Sequence, residues 1–151
     1  MVEKRTDELF KAISGVHSGK FDVFVEENKD SMLSAANDFY SFMRKKLKEN
    51  GISQKVLFLK ADISETYGYK LLSGEKRTRQ RDVILRLLIA SKMNLDEVQS
   101  ALHKYGIEEL YPKNKRDALI IMCINEKRDS VLQVNEILES NGFDALKTAG
   151  I

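Results

Sequence analysis

Residues 63–82, ISETYGYKLLSGEKRTRQRD, predict a short helix followed by a basic run. Ser64 can cap the helix, because a serine hydroxyl accepts hydrogen bonds from the backbone N–H groups of a first turn. Gly74 can end it, since glycine readily adopts the left-handed conformation common at helix C-termini. Gly68 stands inside this helix, where glycine costs about 0.5–1 kcal/mol relative to alanine. A glycine at that position therefore needs a reason in the tertiary structure.

Two further helices are predicted directly upstream. The first carries apolar residues at the i, i+3, i+4, i+8 spacing of one helix face, namely Phe39, Phe42, Met43 and Leu47. Asp38 can cap this helix and Gly51 can stop it. Ser53 can cap the second helix, which begins with QKVLFLKAD.

Downstream of the opening stretch, two pairs of segments resemble each other. RDVILRLLIA at 81–90 parallels RDALIIMCIN at 116–125, an offset of 35 residues. EVQSALHKYGIEEL at 97–110 parallels QVNEILESNGFDAL at 133–146, an offset of 36. Each copy predicts a helical hairpin that ends at a glycine followed by a hydrophobic residue. One proline and eight glycines in 151 residues also disfavour an all-β design, so the sequence predicts an all-α fold.

Positive charge is concentrated in the middle of the chain. The formal net charge is only +2, but residues 44–86 carry 12 lysines and arginines against 5 acids, a balance of +7. A segregated basic block is typical of proteins that bind phosphates or another acidic partner. The alternative is a lysine-rich, solvated helix face with no partner.

No group of residues predicts catalysis or a metal site. The chain has two histidines, His17 and His103, and a single cysteine, Cys123, which is predicted to be buried in an apolar helix. We therefore expect neither an enzyme nor a cofactor. The sequence contains no apolar run as long as the roughly 18–20 residues of a membrane span. A lone cysteine excludes a disulfide framework within the chain, and we expect a cytoplasmic protein with no membrane contact.

The sequence GISQ, followed by nine residues and SETYGYKLLSGEKR, resembles the lambda-repressor-like (XRE-type) helix-turn-helix. In that family a helix opens with Ser/Thr-Gln, a short turn contains Val or Ile, and a recognition helix ends at a glycine before basic residues. Here these parts are Ser53-Gln54, Ile63-Ser64, residues 65–72, Gly74 and Lys76-Arg77. The resemblance implies a helix-turn-helix core over roughly residues 38–100. The paired C-terminal hairpins resemble those of a group of bacterial regulators of this type.

Three positions depart from the family pattern. Where the family has alanine, a turn glycine and a valine or isoleucine, this chain has Phe58, Asp62 and Gly68. The alanine and the valine face each other where the two helices cross. We infer a size exchange in which the Phe58 ring fills the space that Gly68 leaves, so that core volume is roughly conserved.

The resemblance also implies which residues would contact DNA. Glu65, Thr66 and Lys70 would face the major groove, where Thr66 can contact a base edge and Lys70 can reach guanine acceptors. The full set of predicted DNA-contacting residues is Gln54, Ser64, Glu65, Thr66, Tyr67, Tyr69, Lys70, Lys76, Arg77, Arg79 and Arg81. Glu65 can accept from a cytosine amino group but repels phosphates, and it can instead act only as an acid that stabilises the helix dipole.

We interpret the chain as three parts: a helical N-terminal segment (1–37), the helix-turn-helix core (38–100) and a helical extension (101–151). The expected function is sequence-specific binding of double-stranded DNA as a transcriptional regulator, with a homodimer expected by analogy. A protein partner could bind the C-terminal hairpins. The alternative is a protein–protein interaction module that keeps the fold without reading DNA.

The size exchange predicts the effect of one substitution. Gly68→Val should overpack against Phe58, which costs about 1–3 kcal/mol in a filled core, and should lower the melting temperature. Thermal unfolding followed by circular dichroism measures this. A variant that melts above the parent would show that the interpretation is wrong.

Overall fold

The computed structural model describes residues 5–29 and 39–148, and every regular element within these ranges is helical. The predicted all-α fold is thereby confirmed. The chain divides into two compact units, residues 1–35 and 36–151. The sequence-based boundary between residues 100 and 101 falls inside a helix of the second unit.

The first unit contains two α-helices in its described part. Helix α1 spans Thr6–Ser14, a single 3-10 turn spans Ser18–Lys20, and helix α2 spans Phe21–Glu27. The predicted N-terminal helical segment is described only over residues 5–29. Within this range no hydrophobic side chain is fully buried.

The second unit carries seven helices within residues 39–148. They are α3 (Phe39–Glu49), α4 (Gln54–Ala61), α5 (Glu65–Ser73), α6 (Arg81–Ala90), α7 (Leu95–Tyr105), α8 (Lys115–Asn125) and α9 (Val131–Ser140). Helix α6 lies at the centre, since every residue from 83 to 90 is buried. It packs against α4, α7 and α9, while α3 packs on α7 and α5 packs on α3 and α4.

The predicted helix ends have their expected chemistry. The hydroxyl of Ser53 accepts from Val56 N, and that of Ser64 accepts from Tyr67 N. Gly74 ends α5 with a φ of 81°. Asp62 ends α4 with a φ of 53°, in the left-handed region that favours glycine and at the position where the family pattern has one. The predicted cap Asp38 lies outside the described residues.

Gly68 lies directly against the Phe58 ring, as the size exchange requires. Both residues are buried. A Cβ built on Gly68 would lie 2.8 Å from Cγ of Phe58 and closer still to two other ring carbons. Real Cβ atoms essentially never approach another atom to less than 3.0 Å. The glycine therefore lets the phenylalanine occupy the crossing of α4 and α5.

The two predicted hairpins, α6–α7 and α8–α9, bind each other through exchanged ion pairs. Arg81 donates to both carboxylate oxygens of Asp117, over 3.0 and 2.6 Å. Arg116 donates in the same way to Asp82, over 3.1 and 3.0 Å. The Arg-Asp pair that opens each hairpin thus meets the pair that opens the other. The helix contacts are exchanged in the same way, since α6 contacts α9 and α7 contacts α8.

Each hairpin also secures its own trailing segment by an amide side chain. Leu110 N donates to the side-chain oxygen of Gln99 over 2.8 Å, and Leu146 N donates to that of Asn135 over 2.9 Å. Both leucines are buried. The two copies of the sequence repeat therefore share this hydrogen bond as well as their helices.

Arg86 is a buried cation in the middle of α6, with 2% of its surface exposed. Its guanidinium donates to the carbonyls of Ala61 and Asp62 at the end of α4, both at 3.1 Å. It also donates to the carbonyls of Leu146 and Lys147, at 2.7 and 2.8 Å. Burial lowers the pKa of Arg86, and the carboxylates of Asp62 and Asp82 oppose that shift. One side chain thus joins α4, α6 and the segment that follows α9.

Replacing Arg86 should be severely destabilising. Arg86→Met keeps much of the volume but leaves carbonyl oxygens without donors in the interior, and we expect a loss of about 3–5 kcal/mol in unfolding free energy. Chemical denaturation measures it. Arg128→Met, at a side chain that is 38% exposed, is the matched control and should change stability by no more than about 0.5 kcal/mol. Equal denaturation midpoints for the two variants would show that the hydrogen bonds of Arg86 do not stabilise the fold.

The exchanged ion pairs predict acid sensitivity. Burial by itself raises the pKa of Asp82, but hydrogen bonds from Arg116 and from the backbone of Lys147, with the nearby guanidinium charges, lower it below the usual 3.8. A carboxyl whose pKa is lower in the folded state adds stability above its unfolded pKa. That stability is lost as the pH falls below 3.8 and through the folded value. Urea unfolding between pH 6 and pH 2.5 should therefore show a shallower pH dependence for Asp82→Asn than for the parent. Identical slopes would contradict this.

A double-mutant cycle tests the contact between Phe58 and Gly68. In the Phe58→Ala background the space next to residue 68 is open, so Gly68→Val should raise the melting temperature there while lowering it in the parent. If Gly68→Val changes the melting temperature in the same direction in both backgrounds, the two residues do not interact in this way.

Candidate nucleic-acid interface

Helix α5 is bound to the rest of the second unit by one face only. Gly68, Leu71 and Leu72 form its buried face. Glu65 and Thr66, in its first turn, are exposed. A short turn, residues 62–64, separates α5 from α4.

Four of the predicted residues meet at one open groove beside α5. The groove has a volume of about 570 Å³, and its lining includes Gln54, Thr66, Tyr69 and Lys70. Gln54 is the first residue of α4, and the other three lie on α5. Residues from two helices thus line one groove.

Arg44 also lines this groove, although no sequence pattern indicates a role for it. It lies on α3, is exposed, and donates a 3.4 Å hydrogen bond to the Ser41 hydroxyl. The only sequence signal was its membership of the basic second half of α3. Its place in the groove follows from the packing of α3 on α5, which no local pattern specifies.

The two tyrosines of α5 have different environments. Tyr69 is 44% exposed, and its ring packs edge-on against Phe58 with the centroids 5.0 Å apart. Tyr67 is half-buried and packs against the core. Tyr69 therefore lies in the groove, whereas Tyr67, Ser64 and Glu65 lie outside its lining.

Within the basic run, Arg77 is held by α7. Its guanidinium lies 4.3 Å from the centre of the Tyr105 ring and donates to the Tyr105 carbonyl. The Tyr105 hydroxyl accepts from Thr78 N at 2.9 Å and donates to Thr78 O at 2.7 Å. Burial raises the pKa of that hydroxyl. Tyr105 therefore fixes the backbone of the segment between α5 and α6.

Arg81 is likewise bound to the protein. Its side chain is 17% exposed and forms the two-bond pair with Asp117. Lys76 and Arg79 are exposed, and within the described ranges neither they nor Lys70 forms an ion pair. The run thus contains two arginines with structural contacts, of which Arg77 is nevertheless exposed, and two exposed cations without an ion pair.

A metal site or a reactive thiol has little support in the described residues. In residues 5–29 and 39–148, no three His, Cys, Asp or Glu side chains are grouped as metal ligands. Cys123 is buried, as predicted, and burial raises the pKa of its thiol, which disfavours a nucleophilic thiolate. No helix in the same ranges is both long and apolar enough to cross a membrane.

Comparisons of the chain with protein-family models, with curated proteins and with solved structures found no match.

Proposed function

We propose that the protein binds double-stranded DNA sequence-specifically, with α4 and α5 as a lambda-repressor-like helix-turn-helix and α5 in the major groove. The support is local geometry. Ser53 and Ser64 cap the two helices, and Asp62 adopts a left-handed conformation in the turn. Glu65 and Thr66, the first two residues of α5, are exposed, as a helix that enters a groove with its N-terminal residues requires.

The observation that carries the proposal is the convergence of Gln54, Thr66, Lys70 and Arg44 on one open groove. Lys70 can donate to guanine O6 or N7, and Thr66 can contact a thymine methyl or a base edge. Gln54, at the N-terminus of α4, can donate to a phosphate, and Arg44 can do the same. Side chains that would bind the DNA backbone and side chains that would contact bases thus line the same groove.

The phosphate-contacting set is narrower than the sequence alone indicates. Lys76 and Arg79 are exposed and are assigned to the backbone of the DNA. Arg77 and Arg81 would first have to leave Tyr105 and Asp117. We assign these two arginines to the positioning of the loop and the hairpins instead.

The wider proposal is a cytoplasmic transcriptional regulator that acts as a homodimer. A single helix-turn-helix reads only a few base pairs, and a two-fold partner doubles the site. The C-terminal hairpins remain the proposed surface for a protein partner.

The rival function is a protein-interaction module, and exposed apolar residues on α4 favour it. Val56 and Leu59 lie one turn apart and are 42% and 79% exposed. Glu65, exposed at the start of α5, repels phosphates and would suit a basic protein partner.

The deciding experiment is selection of bound sequences from a random duplex pool, followed by affinity measurements on the selected site at several salt concentrations. Affinity should fall steeply with salt, because each phosphate contact releases counterions. Lys76→Ala and Arg79→Ala should each reduce the slope of log K against log salt by about 1. Lys70→Ala should weaken binding about tenfold or more and relax the sequence preference.

Lys113→Ala is the matched control, since this exposed lysine lies in the turn between the hairpins. It should leave affinity and slope unchanged. The absence of binding at low salt, or equal losses for Lys70→Ala and Lys113→Ala, would rule out DNA reading through α5 and favour the interaction module.

A further inference from the structure

Helices α6 and α8 are each followed, two residues after their last residue, by a lysine in an unfavourable backbone conformation. Lys92 has a φ of 59° and Lys127 a φ of 60°. The other left-handed residues within the described ranges are four glycines and Asp62. A side chain makes this conformation costly, so glycine is the common choice just after a helix. The two lysines occupy equivalent positions of the repeat, 35 residues apart.

These lysines line one cleft between the hairpins. Its volume is about 370 Å³, within the range of small-molecule sites. Ile89, Met93 and Ile124 are its apolar residues, and all three belong to the buried core. Since Ile89 and Ile124 are also equivalent in the repeat, the cleft contains matching residues from both hairpins. It therefore combines an apolar floor with a pair of ammonium groups.

The charge of the lining is positive. Lys92, Lys127 and Arg128 contribute three cations, and Asp129 is the one acid among the lining residues. Asp129 already pairs with Lys60 of α4, and its carboxylate lies 3.7 Å from Lys92 Nζ. Lys127 forms no ion pair within residues 5–29 and 39–148. Arg128 pairs with Glu126 over 3.0 Å, so Lys127 is the lining cation that has no ion-pair partner within those ranges, and a singly charged anion would supply one.

The contacts of Lys92 and Lys127 within the protein do not explain why lysine stands at these two strained positions. The pair of Lys92 with Asp129 is half-exposed, and an ion pair of this kind adds little stability. Glycine at either position would remove backbone strain, as it does after α5 and α7. Residues held in such a backbone conformation cluster at functional sites, and here two of them line the same cleft.

We propose that this cleft binds a small organic carboxylate with an apolar tail, its head between Lys92 and Lys127 and its tail on Ile89, Met93 and Ile124. Lysine ammonium groups supply charge without demanding a fixed geometry, so two of them can share one carboxylate. The apolar residues select against small hydrophilic anions. The site is separate from the groove beside α5 and does not depend on DNA binding.

The first test uses the full chain with three probes. Octanoate has both the charge and the tail, octanol has the tail alone, and acetate has the charge alone. Thermal unfolding with octanoate should show a rise in melting temperature that saturates, because a ligand bound only by the folded state stabilises it. Octanol and acetate at the same concentrations should give no saturable rise. No rise with octanoate, or an equal rise with acetate, would overturn the proposal.

The second test removes the ammonium groups without straining the fold. The double variant Lys92→Gly/Lys127→Gly should melt at or above the temperature of the parent, because glycine suits both backbone positions. It should bind octanoate at least tenfold more weakly by isothermal titration. Lys92→Asn/Lys127→Asn, in which asparagine tolerates the same conformation, provides a second variant with the same expectation.

A charge-matched control completes the experiment. Lys48→Ala/Lys113→Ala removes two exposed lysines outside the cleft and should keep the affinity of the parent for octanoate. Equal affinities of the parent and the Lys92→Gly/Lys127→Gly variant would overturn the assignment of the head group to these lysines.

Discussion

The second unit depends on the buried guanidinium of Arg86. A cation removed from water is tolerated only when its donors find acceptors, and Arg86 finds them in four backbone carbonyls, while the Asp62 carboxylate lies 3.8 Å away. Two of these carbonyls end α4, where the helix dipole favours positive charge. The other two follow α9. The orientation of α4, and of α5 beyond the turn, is therefore tied to the chain that follows the second hairpin. The segment after α9, which the sequence assigns to a separate extension, therefore helps to hold the helices of the candidate site in place.

The groove beside α5 owes its form to an exchange of volumes. Since Gly68 has no side chain, the Phe58 ring can lie against the α5 backbone. The same ring supports the edge of Tyr69, which lines the groove. The glycine that weakens the helix locally thus allows an aromatic pair to hold one wall of the groove. Stability and surface shape are decided here by the same contact.

Local patterns predicted most of the fold, because helix caps, glycine ends and apolar spacing act over a few residues. The caps at Ser53 and Ser64 followed from such patterns, whereas the contact of Phe58 with Gly68 followed from the resemblance to the helix-turn-helix family. The roles of Arg77, Arg81 and Arg86 could not be found in this way, since each depends on a partner 24 to 61 residues away. In the sequence these arginines differ little from Arg79, which faces solvent. The place of Arg44 in the groove could not be predicted for the same reason, because it depends on how two helices cross.

The exchanged pairs between the hairpins are the contact that two identical subunits make across a two-fold axis, where residue i meets j and j meets i. Here both copies belong to one polypeptide, so their association does not depend on protein concentration. The copies are no longer equivalent, however. Where α6 has Arg86, the matching position of α8 has Ile121. The next residue of α8, Met122, is 58% exposed, whereas its counterpart Leu87 is buried. The two hairpins therefore differ at the positions where they meet α4, which packs on α6 of the first and on α9 of the second, and the arginine that bonds the end of α4 is present in the first hairpin and not at the matching position of the second.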